Sequence, residues 1–144
     1  MNLITKLKEA VQYANKVELV YGTQFDQTVD SITNTDGEIL VYCDPLQYTI
    51  DYTNDVKVYS VQMVFLKRDK ADSQFDTDLN EIESDSTLQI QEDMSVEADT
   101  FVQYLIDNYS VSIPSPVQVL PAIKIRDLCS GVFIQFSVQE RVQC

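Results

Sequence analysis

Met94–Tyr109, MSVEADTFVQYLIDNY, is the stretch on which the fold turns. Met94, Ala98, Phe101, Val102, Leu105, Ile106 and Tyr109 recur at i, i+4, i+7, i+8, i+11, i+12 and i+15, one stripe at 3.6 residues per turn. Glu97, Asp99, Gln103 and Asp107 point the other way. A stripe so broad and apolar is driven out of water, so the rest of the chain is read as what this helix packs against. Ser86 and Gln89 have the S-x-x-Q form of a capping box, which starts the long helix at about residue 86 and runs it to 109, with an unbroken start from about Asp78 as the open alternative.

Upstream, Leu3, Leu7, Ala10, Val11, Ala14 and Val17 form a second helical stripe, so a first helix is expected over 2–21, capped by Asn2 and ended by Gly22. Between the two helices lie strand signals over about 38–66. EILVY (Glu38–Tyr42) is a short apolar run, Tyr48–Tyr52 alternates, and Thr53–Asn54–Asp55 supplies a turn. Val56–Leu66 is the longest strand. It carries Val56, Val58, Ser60, Gln62, Val64 and Leu66 on one side and Lys57, Tyr59, Val61, Met63 and Phe65 on the other.

Two largely apolar faces mark a central strand. With helices on only one of them, Tyr59, Val61, Met63 and Phe65 are expected to form an exposed patch, a candidate subunit interface. Phe25 and Val29, apolar anchors in the polar loop Thr23–Asp36, join it as a candidate contact arm. After Tyr109, Pro114 and Pro116 stop the helix, and strands follow over about 117–142. Pro121 lacks a donor and so marks an edge or a bulge, and Asp127–Gly131 reads as a turn. The expected fold is α+β, one domain over 1–144, with an antiparallel four- to five-stranded sheet and two helices packed on one face.

Composition narrows function by exclusion. The 144 residues are 44% apolar, with eight Tyr and six Phe, enough to bury roughly 70% of the unfolded surface without staples. No apolar run approaches a membrane span, and the first residues, MNLITKLKEAVQYANK, lack the apolar core and cleavage site of a signal peptide, so no membrane association is expected. The absence of histidine removes Ser-His-Asp and Cys-His catalysis and the commonest metal ligand. Three glycines cannot build a phosphate-cradling loop. Cys43, Cys129 and Cys144 are far apart, in no CxxC pair, and signal neither a disulfide framework nor zinc.

The net charge of −13 is concentrated: Asp69–Asp107 holds twelve acids and one base, Lys70. Such a surface repels DNA and acidic membranes and attracts basic partners. Within it, Asp76-x-Asp78-x-Asn80 opens like a calcium loop but has Glu81 at the sixth position and Thr87 at the twelfth, where Gly and a bidentate Glu are required. Asp55-Val56-Lys57 has the D-x-K form found in metal-dependent nucleases, yet falls in an expected hairpin turn. Lys67, Arg68 and Lys70 are the only basic cluster and read as a charged strand end. The expectation is therefore no enzyme, no metal and no cofactor.

Three passages, Val56–Lys70 (VKVYSVQMVFLKRDK), Ser84–Tyr104 (SDSTLQIQEDMSVEADTFVQY) and Asp127–Cys144 (DLCSGVFIQFSVQERVQC), carry a family resemblance. A long strand ending in a charged loop, an acidic SDxTLxIxxD helix leading to F-x-x-Y-L, and a final D-x-x-x-G strand closing on Cys resemble the neck and tail-terminator (tail-completion, ring) proteins of tailed phages, as in crAss-like phages of Bacteroidetes. The sequence departs from that pattern at Val132, where an aromatic is common. The resemblance implies a virion structural protein, made in the host cytoplasm. It would form a homo-oligomeric ring, six- or twelve-fold, stacked with portal, neck or tail ring proteins, through which genomic DNA passes without specific binding. On that reading Glu92, Asp93, Glu97 and Asp99 are candidates for an acidic channel face. The competing reading is an acidic DNA mimic or other protein-binding inhibitor module, which explains the charge equally well.

Overall fold

The computed structural model describes residues 2–22, 39–68, 79–125 and 129–141. In chain order these form α1 (Leu3–Asn15), β1 (Leu19–Tyr21), β2 (Ile39–Cys43), β3 (Gln47–Asp51), β4 (Val56–Arg68), α2 (Leu79–Tyr109), β5 (Gln118–Ile125) and β6 (Cys129–Arg141). The fold is α+β, two helices with a six-stranded mixed sheet in the order β1-β2-β4-β6-β5, and β3 pairing with β4 beside that path.

Helix α1 starts as expected, with the Asn2 side chain accepting the Thr5 N–H at 2.8 Å. Its end is earlier. Lys16 adopts a left-handed φ of 62° and stops the helix at Asn15, and the expected helical tail instead holds β1, which pairs parallel to β2 through Leu19 and Val41. That strand makes the sheet mixed and six-stranded, where an antiparallel sheet of four to five strands was expected. Helix α2 runs unbroken from Leu79, the longer of the two starts left open, so Ser86 is interior and the capping-box reading fails. The acids Glu81, Glu83 and Asp85 lie in its N-terminal turns, where the helix dipole favours negative charge.

Strand β4 is central and pairs with β6 along its whole thirteen residues, from Val56 opposite Arg141 to Arg68 opposite Cys129. Its other side is shared: β2 covers Met63–Lys67 and β3 covers Val56–Ser60. Asp44, Pro45 and Leu46 step the chain from one to the other, with the Asp44 N–H donating to the Gln62 carbonyl at 3.0 Å. The hairpin between β3 and β4 closes on Asp51, whose carboxylate accepts the N–H groups of Thr53 and Asn54 and the Asn54 side-chain amide, while Asp55 sits at φ 54°. Pro121 meets the edge alternative, since β5 ends the sheet; it pairs in regular register with Val132, and the register shift comes after it, between Ala122 and Ile125. Strand β6 begins at Cys129, so residues 129–131 of the expected turn are strand and residues 126–128 lie outside the described residues.

The core lies between the helices and the sheet face that carries Val61, Met63 and Phe65. Leu3, Leu7, Ala10 and Val11 of α1 and Ile90, Met94, Ala98, Phe101 and Leu105 of α2 meet Val41, Cys43, Val132, Ile134, Phe136 and Val138 there, all buried. The candidate interface on Tyr59, Val61, Met63 and Phe65 is thus overturned: Val61 and Phe65 are fully buried, Met63 is 2% exposed, and Tyr59 packs against the same cluster. Both β4 faces are apolar, and the helices sit on the one carrying Phe65. The opposite face holds a second cluster, Tyr42, Val64, Leu66 and Ala122, edged by Val20, Leu40 and Phe133 and likewise buried. It grades through the paired Gln62 and Gln135 to Ser60 opposite Ser137. Phe25 and Val29 lie outside the described residues.

Candidate functional site

The helix that carries the expected acidic face has eight acids and no base in its 31 residues. The four candidate channel residues do not share one direction. Glu92 and Asp99, two turns apart, are exposed on the outer side. Asp93 is half-buried on a flank and accepts the Gln89 amide at 3.0 Å. Glu97 turns towards α1, where its carboxylate accepts the Asn15 amide at 2.7 Å and its backbone carbonyl accepts the same group at 2.9 Å. Asn15 is buried, so Glu97 joins the two helices and is withdrawn from any channel. Farther along, Asp107 accepts the Gln103 amide at 3.2 Å. Exposed Leu88, Val96 and Ile106 interrupt the carboxylates, so the outer face of α2 is acidic with apolar breaks.

The D-x-K pair separates by role. Asp55 is a turn residue with left-handed backbone, and the Lys57 ammonium lies 4.9 Å from the centroid of Tyr48, a cation–π contact. Hydrogen bonding from the Asn54 side-chain amide, then from the Asn54 backbone, holds Asp51 below the usual carboxylate range, as a turn residue requires. Cys43 is buried and donates its thiol to the Asp44 carbonyl at 3.4 Å. Burial first, then the Asp44 charge, pushes its pKa up to about 12, the opposite of what a nucleophile needs. Tyr109 donates its hydroxyl to Glu9 at 3.0 Å, and desolvation with that contact raises it to about 12.

Among the described residues no three His, Cys, Asp or Glu side chains gather as a metal site requires, and the calcium-like motif at 76–80 rests mostly on undescribed residues. A cavity of about 210 Å³ opens on the sheet face away from the helices, lined by Tyr42, Gln62, Val64, Leu120, Phe133 and Gln135, with Asp44 as the carboxylate at its margin. Among the described residues no helix is long and apolar enough to cross a membrane.

Sequence reasoning named the β5 edge through Pro121 and missed the edge at β3. Among the described residues β3 pairs only with β4 and β5 only with β6. Tyr48 on β3 is 53% exposed, and Val119 and Leu120 on β5 are 50% and 39% exposed. Pro121 was the available signal, because it named an edge. Compared with models of known protein families and with curated proteins, the chain matches none.

Proposed function

We propose that this chain is a ring-forming structural subunit of a tailed-phage neck or tail terminator, a non-catalytic spacer between portal and tail. The observation that carries the reading is the all-acidic helix α2. Eight like charges with no intervening base repel one another, and Asp107 opposes the negative end of the helix dipole, so the pattern costs stability. A surface along which DNA slides without sticking uses that charge, with Glu92 and Asp99 exposed to it. The resemblance of the passages at 56–70, 84–104 and 127–144 to neck and tail-terminator proteins supports the same reading.

The basis for assembly differs from the one expected from sequence. The β4 face that carries Val61, Met63 and Phe65 is covered by helices of the same chain, so a neighbour is not needed to shield it. Electron microscopy of concentrated protein is expected to give annular particles of uniform diameter. Dispersed single subunits that occupy the DNA site of a DNA-binding enzyme would instead establish the mimic.

A further inference from the structure

We infer that neighbouring copies join edge to edge, the β3 strand of one copy pairing antiparallel with the β5 strand of the next. This rests on the ring reading and names the surfaces that would build it.

In a strand of L residues, the sheet face of a side chain fixes the side to which that residue's own N–H and C=O point. Asp44 addresses β4, donating to the Gln62 carbonyl. Gln47 and Thr49 lie on the same sheet face, opposite Ser60 and Val58, so they also address β4. The backbone groups of Tyr48 and Ile50 therefore point outward. On the far edge, Gln139 donates its N–H to the Ser112 carbonyl at 2.9 Å, away from β4. Gln135 and Phe133 share its face and address Gln118 and Leu120 of β5 in the same way. Val119 and Pro121 are left pointing outward, with the missing N–H of Pro121 on the open side.

Direction and charge both favour this pairing. Strands β3 and β6 run antiparallel to β4, and β5 runs antiparallel to β6, so β5 is antiparallel to β3. A neighbour in the same orientation thus brings its β5 to β3 as an antiparallel partner with the same face towards the helices. Such a contact is head to tail, the kind that builds a ring when the rotation from copy to copy closes. In a chain whose residues are 23% charged, Gln47–Ile50 and Gln118–Ile123 carry no charge. Copies that repel at −13 each then meet with Asp51, the last residue of β3, as the one carboxylate the two strands bring. With Ile50 opposite Val119 the two residues exchange both N–H···O bonds, and Tyr48 donates to the Pro121 carbonyl, so the proline forfeits one bond only.

The test is disulfide trapping in a Cys129→Ser, Cys144→Ser background. Ile50→Cys protein mixed with Val119→Cys protein is expected to yield a covalent pair under mild oxidation, since paired strands hold Cα atoms about 5.5 Å apart, while neither variant alone does. Ile50→Pro removes only an outward N–H and is expected to weaken assembly at least ~10-fold, with unfolding temperature little changed. Cross-linking of Ile50→Cys protein with itself would mean a two-fold contact and overturn the inference. A ring that forms without the mixed cross-link and tolerates Ile50→Pro overturns the edge pairing but leaves the ring reading intact. A monomer at every concentration, with no cross-link, overturns both.

Discussion

Phe65, in the C-terminal half of the central strand, and Phe101, on the buried side of the long helix, meet with ring centroids 5.7 Å apart and planes tilted by 51°. Phe101 also reaches Phe136 at 6.4 Å, so one helical side chain bridges β4 and β6. Tilted aromatic contacts add to the burial of both rings, and this triad decides which of two apolar faces of β4 becomes the interior.

Phe101→Ala is accordingly expected to cost about 3–5 kcal/mol and Leu105→Ala about 2–5, through lost transfer free energy and the cavity left behind. Asp99→Ala, on the exposed side, should change stability by less than about 0.5 kcal/mol. Chemical denaturation checks the contrast, and equal losses at the two kinds of site would contradict the helix orientation.

Gly131 sits between Leu66 on β4 and Ala122 on β5, where an added Cβ would collide with the Phe65 carbonyl oxygen. The obstacle is backbone in the middle of the sheet, which has no rotamer with which to yield. Gly131→Ala should destabilise by about 1–3 kcal/mol, as overpacking does. An unfolding midpoint equal to that of the parent would show that the strands have more room.

The clamp between helices gives an asymmetric pair of variants. Asn15 bonds both the carboxylate and the carbonyl of Glu97, so Asn15→Ala removes both contacts and should cost about 1–3 kcal/mol. Glu97→Ala leaves the carbonyl partner in place and should cost less. The reverse order in denaturant titrations would mean that the charged contact dominates.

Alkaline pH should weaken the fold. Burial raises the Cys43 thiol from 9.0 to about 12, and Tyr109 rises from 10.0 to about 12, so the folded chain holds these protons more tightly than the unfolded one. Their contribution is fully present below pH 9 and is lost as pH rises through the window from 9 to 12. Cys43→Ala, which has no proton to lose there, should flatten the decline of stability with pH in that window. At pH 8 the native Cys43 thiol should resist alkylation that readily modifies it in denaturant, as peptide mapping would show.

The helical register was legible because seven apolar positions obey one period: Met94, Ala98, Phe101 and Leu105 are buried, and only the flank position Ile106 is largely exposed, at 40%. The central place of β4 was legible from its two apolar faces. Which face turns inward was not, because a period of two separates the sets without ranking them, and Val64 and Leu66 are as apolar as Met63 and Phe65. Strand β1 was hidden by its three residues, too few to show alternation, and by Val17 extending the helical stripe past Lys16. Among the site residues, exposure of Asp99 followed from the stripe. The inward turn of Glu97 depended on a residue 82 positions away, which local periodicity does not see.

Closure of copies of this chain into a ring can be read from native mass spectrometry of concentrated protein. Each copy carries −13, and at about 0.15 M salt screening reaches only ~8 Å, so assembly should strengthen with both concentration and salt. One closed stoichiometry is expected, six or twelve copies, without a ladder of intermediates. A 16.4 kDa monomer at every concentration and salt would contradict it, the more so if that monomer bound a DNA-binding enzyme one to one.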